Sequence, residues 1–247
     1  MTRRVSLAAW LMLTTLAAGQ SDLPQGQSVL DSAVEAEGGR AAFDRLHTRV
    51  LRGQIEMPAK GLSSPIAIYQ AAPSKERTEL FGGVEGTDGE IAWENVATGP
   101  RLIQGAERRG VLRRAVFNRD ANWRKVYQSA ECKGVENANG VECYRLLLKT
   151  FEGDSVTLWI DKKSQMPVRE MSTEHRPDGD LPLEISYEDY RKVDGIWFPY
   201  RQRQKFAGTE LTITFDRVEH NTLIPSAQFE PPADVRKLME KEKRRDK

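Results

Sequence analysis

Short runs of alternating apolar and polar residues fill the chain from Val50 to about residue 220. The clearest runs are Ile66 and Ile68; Ile91 and Trp93; Val156, Leu158 and Ile160; Leu183, Ile185 and Tyr187; and Leu211, Ile213 and Phe215. A period of two is typical of strands with one buried face in an antiparallel sheet. Turn pairs such as Asp88-Gly89, Asn139-Gly140 and Asp194-Gly195 separate the runs at spacings that suit hairpins, not βαβ units. The pattern therefore predicts a meander of antiparallel strands.

Two segments have a helical period instead. Residues 27–47 repeat apolar positions every three to four residues, and Gly38-Gly39 divides this segment into a longer and a shorter helix. Residues 105–118 carry an apolar stripe of Val111, Leu112, Ala115 and Val116 with four arginines elsewhere on the helix. Such a cluster is more often a solvated helix face than an anion site, so we expect these arginines to face water.

Residues 187–201, YEDYRKVDGIWFPYR, place five aromatic rings around the turn pair Asp194-Gly195. Both turn residues tolerate positive φ, which predicts a tight hairpin. Because successive side chains of a strand point to opposite faces, the rings cannot all line one cavity. Pro199 lacks an amide hydrogen, so its strand is expected to be an edge or bulged there. We expect the rings of Tyr187, Trp197 and Phe215 to be better buried than those of Tyr190 and Tyr200.

The N-terminus has the pattern of a secretory signal peptide. Arg3 and Arg4 precede a mostly apolar stretch of twelve residues, and Ala17-Ala18-Gly19 supplies the small residues of a cleavage site. Twelve residues rise only about 18 Å as a helix, which is too short for a bilayer core of about 30 Å. We therefore expect residues 1–19 to be removed and the protein to be exported to the periplasm. The rest has no long apolar run, so no transmembrane segment is expected in the mature chain.

Charge is balanced over the predicted mature chain. Without Arg3 and Arg4, 35 basic residues face 36 acidic ones, which argues against nucleic acid as a partner. The exception is the last stretch, residues 233–247, which holds seven basic and four acidic residues after Pro231-Pro232. We expect it to be an exposed, frayed helical tail that follows a single domain of residues 20–232.

Cys132 and Cys143 are the only cysteines, and disulfides form in the predicted compartment. If Asn137-Ala138 is at the centre of the turn between them, the two cysteines lie opposite each other on a hairpin, close enough for a disulfide. A register with Asn139-Gly140 in the turn would separate the sulfurs. The bridge is the favoured alternative, with two free thiols as the other.

Motifs for chemistry are missing from the sequence. His47, His175 and His220 are scattered without metal-ligand spacing, and there is no GxSxG, P-loop or GxGxxG motif. The sequence therefore predicts no enzyme, no cofactor and no metal site.

The remaining feature is the apolar face of the sheet. Either helices fill it completely, or the sheet is wide enough to leave a cavity for an apolar ligand, and alternation alone does not distinguish the two. The groove candidates are Ile66, Ile68, Ile91, Trp93, Leu112, Val116, Val156, Leu158, Ile160, Leu183, Ile185, Tyr187, Trp197, Leu211, Ile213 and Phe215.

Three segments resemble one known group of proteins. They are residues 187–232, YEDYRKVDGIWFPYRQRQKFAGTELTITFDRVEHNTLIPSAQFEPP; residues 39–61, GRAAFDRLHTRVLRGQIEMPAKG; and residues 86–103, GTDGEIAWENVATGPRLI. In these turns and core rings the chain resembles the periplasmic lipoprotein-carrier superfamily, the LolA/LolB-like group that includes outer membrane lipoprotein-sorting proteins. It differs from the outer-membrane acceptor type because it has no lipobox cysteine.

The resemblance implies an α+β, mainly β fold: a curved antiparallel sheet, an open half-barrel, whose concave face is covered by N-terminal and mid-chain helices. It also implies an apolar cavity that shields acyl chains. The function expected from it is a non-enzymatic periplasmic carrier for a lipid or for lipoprotein acyl chains, with a possible protein partner in the envelope. The alternative is an envelope interaction or structural module with a filled core and no ligand.

Overall fold

One antiparallel sheet of thirteen strands forms most of the protein in the computed structural model, which describes residues 23–245. The signal peptide predicted at residues 1–19 lies outside this range. The strands are β1 Thr48–Met57, β2 Leu62–Ala71, β3 Lys75–Leu80, β4 Gly83–Thr87, β5 Ala92–Val96, β6 Gly99–Ile103, β7 Tyr127–Ala138, β8 Val141–Thr150, β9 Ser155–Asp161, β10 Pro167–Glu174, β11 Leu181–Val193, β12 Ile196–Phe206 and β13 Thr209–His220. The helices are α1 Gly26–Glu37, α2 Arg40–Phe43, α3 Gly105–Arg114, α4 Trp123–Val126 and α5 Ala233–Arg245, with 3₁₀ turns at Pro58–Lys60 and Ser226–Phe229.

Two meanders meet at the middle of the sheet. The strand order is β6-β5-β4-β3-β2-β1-β13-β12-β11-β10-β9-β8-β7, and every pair is antiparallel. Only the contact of β1 with β13 joins strands distant in sequence. The order ends at β6 and β7, so the sheet is open and not a closed barrel. The predicted fold class, a curved antiparallel sheet with helices, is confirmed.

Three helices cover one end of the sheet. The apolar stripe of α1, which includes Leu30 and Val34, packs with α2 and α4 against β7, β8 and β9. Leu146, Leu148 and Ile160 are completely buried there. The helix break predicted at Gly38-Gly39 is confirmed, because α1 ends at Glu37 and α2 begins at Arg40.

The middle of the sheet has a core made of strand residues alone. It contains Leu51, Ile55, Ile66, Tyr200, Leu211, Ile213, Phe215 and Val218, which belong to β1, β2, β12 and β13. Phe198 packs on this cluster with its ring centroid 6.1 Å from that of Phe215. Among the described residues, no helical side chain belongs to this cluster.

The C-terminal segment is more ordered than the predicted frayed tail. Residues 233–245 form α5, which packs against β5 and β6, and Val235 is completely buried. The later residues of α5 are mostly exposed, as expected from their charge.

The aromatic hairpin forms as predicted, with Val193 paired to Ile196 across Asp194-Gly195. The predicted order of burial among its rings is wrong for two residues. Tyr200 is buried, at 9% exposed, whereas Trp197 is 38% exposed. β12 pairs with β13 only from Arg201 onward. Pro199 therefore lies on a part of β12 that is locally an edge of the sheet, as expected.

The predicted disulfide between Cys132 and Cys143 is wrong, and both cysteines are free. Asn139 and Gly140 form the turn with φ of 53° and 83°, which suits a two-residue hairpin loop. In this register Cys143 pairs with Glu136 and Cys132 pairs with Leu146. Cys132 packs against the helix-covered core while Cys143 packs with Trp159 on the opposite face, so the sulfurs point apart.

A β-bulge bends the central pair of strands. The register between β1 and β13 shifts after Arg52, so that Gly53 pairs with Phe215. An added Cβ on Gly53 would lie 2.0 Å from the carbonyl oxygen of Thr214. Only glycine permits this approach, which lets the sheet curve at its centre.

Free thiols are the first testable consequence. We expect the purified protein without reductant to give two thiols per chain with Ellman's reagent in denaturant. In the folded protein Cys132 should react before Cys143, because Cys143 is completely buried and burial raises its pKa. A denatured sample without free thiols would contradict the register described above.

Gly53→Ala should destabilise the fold by about 1–3 kcal/mol, the usual range for overpacking, and chemical denaturation would measure the loss. Gly110→Ala is the matched control. Its Cβ would meet only Arg114, at 3.9 Å, inside α3, so it should stabilise by about 0.5–1 kcal/mol. Equal effects of the two substitutions would show that the close approach at Gly53 has no role.

Candidate functional site

A cavity of about 480 Å³ lies over the middle strands of the sheet, beside the end that α1, α2 and α4 cover. Its volume is in the range of ligand sites. The inward faces of β1, β2, β3, β11, β12 and β13 form most of its wall, and α3 and the loop after it close one end. The cavity has an apolar end and a charged end.

The apolar end is built by the strand-only core. Leu51 and Ile55 come from β1, Ile66 and Ile68 from β2, and Ile213 from β13. Ladder pairs place these residues side by side, with Ile55 opposite Ile213 and Leu51 opposite Ile68. The result is a continuous aliphatic surface that faces open space.

Most of the sequence-derived groove candidates line this cavity, namely Ile66, Ile68, Val116, Leu158, Leu183, Ile185, Tyr187, Trp197, Leu211, Ile213 and Phe215. Five lie outside it: Ile91, Trp93, Leu112, Val156 and Ile160. Val156 and Ile160 lie on β9, at the end of the sheet that α1, α2 and α4 cover.

Trp93 shows why alternation could not separate the two faces. Its neighbour Ala92 packs with Ile103 against α3 on the cavity side, so Trp93 points to the other face. Trp93 is nevertheless completely buried. α5 is the other helix that packs against β5, and the guanidinium of Arg77 lies 5.7 Å from the centroid of the Trp93 ring.

The charged end begins at α3. Arg114 points into the cavity, where its Nη2 donates to Glu85 on β4 (3.0 Å) and its Nη1 to Glu174 on β10 (3.1 Å). Arg113 pairs with Asp154 at 2.8 Å and its side chain is 11% exposed. The prediction of a solvated arginine face is therefore wrong for these two residues, because β4, β10 and the turn between β8 and β9 supply carboxylates to them.

A second ion pair lies on the same wall. Arg119 Nη2 donates to Glu170 on β10 at 2.7 Å, and the hydroxyl of Tyr187 donates to the same carboxylate oxygen at 2.9 Å. Burial and the neighbouring Glu170 raise the pKa of Tyr187 well above its usual value, so it stays a hydrogen-bond donor.

Arg49 on β1 is the third arginine of the site, and its acceptors are all uncharged side chains. Its nitrogens donate to His220 Nε2 (2.9 Å), Gln70 Oε1 (3.1 Å) and Asn118 Oδ1 (2.7 Å). The guanidinium also lies over the rings of Phe117 and Phe198, 5.2 and 5.0 Å from the centroids. Burial lowers its pKa to about 10.

Glu37, the last residue of α1, is 5% exposed and lines the cavity. Within residues 23–245 its carboxylate has no hydrogen-bond or ion-pair partner. Burial and repulsion by Asp120 raise its pKa well above the ordinary value, although Arg49 and Arg119 act in the opposite direction. Glu37 is thus a buried, unpaired acid that faces the cavity.

Sequence reasoning missed most of the charged end. One signal for it was present, since Glu37 falls on the helical stripe that carries Leu30 and Val34. A charge on an apolar stripe needs either a partner or a cavity. The carboxylates on β4 and β10 had no such signal, because acidic residues are frequent on exposed strands.

Among the described residues there is no group of three or more His, Cys, Asp or Glu side chains arranged to hold a metal ion. In the same range no helix is both long enough and apolar enough to span a membrane.

Comparison by sequence found no matching family model. It also found no matching curated protein.

Solved structures are similar to the chain in fold. A DUF1329 family protein from Desulfovibrio piger has a TM-score of 0.58 at 17% identity, covering 86% of this chain and 100% of its own. A LolA superfamily protein from Nitrosomonas europaea has a TM-score of 0.56 at 15% identity, covering 85% and 99%. A domain from Vibrio parahaemolyticus, named as an outer membrane lipoprotein-sorting protein, has a TM-score of 0.55 at 11% identity, covering 83% and 97%. The chain therefore has the fold of LolA superfamily proteins, which confirms the fold implied by the sequence resemblance.

Glu37→Gln should stabilise the protein at neutral pH. The folded-state pKa of Glu37 lies above the value in the unfolded chain, about 4.3, so folding is most favourable when the group is protonated. That stability is present below the unfolded pKa and is lost as pH rises toward the folded pKa. We expect the variant to have a higher Tm than the natural chain at about pH 7, on a scale of about 2–4 °C for each kcal/mol, and the same Tm near pH 4.

Differential scanning calorimetry at both pH values would measure this. Glu35→Gln on the exposed side of the same helix is the control and should change Tm at neither pH. A fall in Tm for Glu37→Gln at neutral pH would mean that the carboxylate is stabilised by the fold.

Proposed function

We propose that this protein is a non-enzymatic carrier or binding protein for an acylated or otherwise lipidic ligand in the periplasm. The observation that supports it is the aliphatic wall formed by Leu51, Ile55, Ile66, Ile68 and Ile213, which faces open space without a helix against it. A structural module with a filled core would need side chains of its own in that space.

Burial of an alkyl chain contributes a free energy of the size that association requires. Each methylene removed from water contributes about 0.8 kcal/mol. About fifteen methylenes, as in one C16 chain, then contribute about 12 kcal/mol, against an association cost of about 4–15 kcal/mol. Burial of such a chain therefore offsets the cost over most of this range, and no catalytic group is required.

The likeness to LolA superfamily proteins and to a domain named for outer membrane lipoprotein sorting supports the same assignment. The predicted signal peptide supports a periplasmic location. The cargo, whether a free lipid or the acyl chains of a lipoprotein, is part of the proposal and is open to the test below.

Blocking the apolar end tests the proposal. Thr78 on β3 lines the cavity and is paired with Ile68 across the ladder, so Thr78→Trp would place a ring in the space where the chain should lie. We expect residues 20–247 to bind the neutral apolar probe N-phenylnaphthylamine, and Thr78→Trp to bind it at least about tenfold more weakly, a change of about 1.4 kcal/mol.

Thr212→Trp is the matched control, because Thr212 precedes the cavity residue Ile213 and so points to the opposite face of β13. It should leave the affinity for the probe unchanged. Native mass spectrometry of protein isolated from the cell envelope would identify the bound lipid. If the natural chain carries no lipid and takes up no probe, the carrier function is wrong.

A further inference from the structure

The charged end of the cavity has more carboxylates than guanidiniums. Six acidic side chains line the cavity: Glu37, Glu76, Glu85, Asp120, Glu170 and Glu174. The arginines that line it are four: Arg49, Arg114, Arg119 and Arg176. The acidic groups outnumber the guanidiniums by two, and burial raises the pKa of two of them, Glu37 and Glu85. A cation bound at this end would favour their ionised forms, whereas an anion would disfavour them.

Pairing does not remove the surplus. Arg114 is shared by Glu85 and Glu174, and Arg119 is bound by Glu170. Arg176 reaches Glu174 only at 4.0 Å. These guanidiniums already have carboxylate partners, so none of them offers an unpaired positive charge to an anionic ligand.

Arg49 is held by the protein and is 7% exposed. Its Nε, Nη1 and Nη2 each donate a hydrogen bond to an uncharged side chain, and the rings of Phe117 and Phe198 lie near the guanidinium. Its positive charge favours the ionised form of Glu37, so it acts on the same acid.

Glu37 has the opposite character, because it is buried and lacks a partner among the described residues. It is the final residue of α1, where the carbonyl groups of the last turn add partial negative charge. Asp120 lies near enough to repel it and also lines the cavity. The carboxyl group is therefore directed into the cavity without a donor from the protein.

We propose that the charged end of the cavity binds the ammonium head of an amphiphilic ligand, with Glu37 as its principal acceptor, while the alkyl chain lies against the apolar end. This inference rests on the proposed function and specifies the class of ligand. An ammonium group supplies the donor and the positive charge that the site lacks. A bound ammonium would lower the pKa of Glu37 and so allow a charge-assisted hydrogen bond, which is stronger in a buried site than a neutral one, whereas an anionic head would raise that pKa further.

Displacement of N-phenylnaphthylamine by three ligands of equal chain length tests the inference at neutral pH. The ligands are decylammonium, decanol and decanoate. We expect decylammonium to bind at least about tenfold more tightly than decanoate, with decanol between them. In Glu37→Gln, which keeps the shape of the side chain, the affinity for decylammonium should fall to about that for decanol.

Two further variants make the result specific. Glu35→Gln on the exposed side of α1 should leave all three affinities unchanged. Thr78→Trp should weaken all three ligands together, which would place their chains in the cavity.

Failure of the two proposals can be told apart. If the natural chain binds neither the probe nor any decyl ligand, the carrier function is wrong. If the ligands bind but decanoate is equal to decylammonium or tighter, the ammonium inference is wrong and the carrier function stands. The same conclusion follows if Glu37→Gln does not change the preference for decylammonium over decanol.

Discussion

The wide apolar face of the sheet must be kept from water, and the helices cover only its two ends. α1, α2 and α4 pack on β7, β8 and β9, where residues such as Leu146 and Ile160 are completely buried. At the other end Val111 of α3 packs with Ala92 and Ile103. The apolar cluster between these ends consists of strand side chains alone among the described residues. A thirteen-stranded open sheet is too wide for its short helices, and the cavity is the consequence.

The charged end depends on the same geometry. α3 and the loop after it lie across the sheet, so Arg114 and Arg119 reach carboxylates on β4 and β10. These ion pairs hold α3 and the following loop in place. Apolar side chains at the same positions would instead fill the cavity. Burial is costly for an unpaired charge. It therefore raises the pKa of Glu37 and favours the neutral form of this acid. The cavity and its buried charges thus have a common origin in the incomplete cover.

Local patterns were sufficient for the elements and the turns. The alternation around Ile66, Val156, Leu183 and Leu211 predicted strands, and each lies in a strand of the sheet. The hairpin at Asp194-Gly195 was likewise readable, because positive φ is a property of the residue pair itself. The pairing of Cys132 and Cys143 was predicted wrongly because two turn centres were possible and one residue of register decides which face each sulfur occupies.

By itself, the sequence determined that the protein is an antiparallel sheet of consecutive hairpins with helices at its N-terminus and in mid-chain, since a period of two and turn residues are local properties. Only the tertiary structure decided which apolar residues face open space and which charges are buried. Trp93 and Ile66 have the same pattern, yet one lies on the face opposite the cavity and the other lines it. The sequence predicted that Arg114 faces water, whereas the fold places carboxylates of β4 and β10 beside it. These outcomes depend on contacts between distant segments, which residue order does not show.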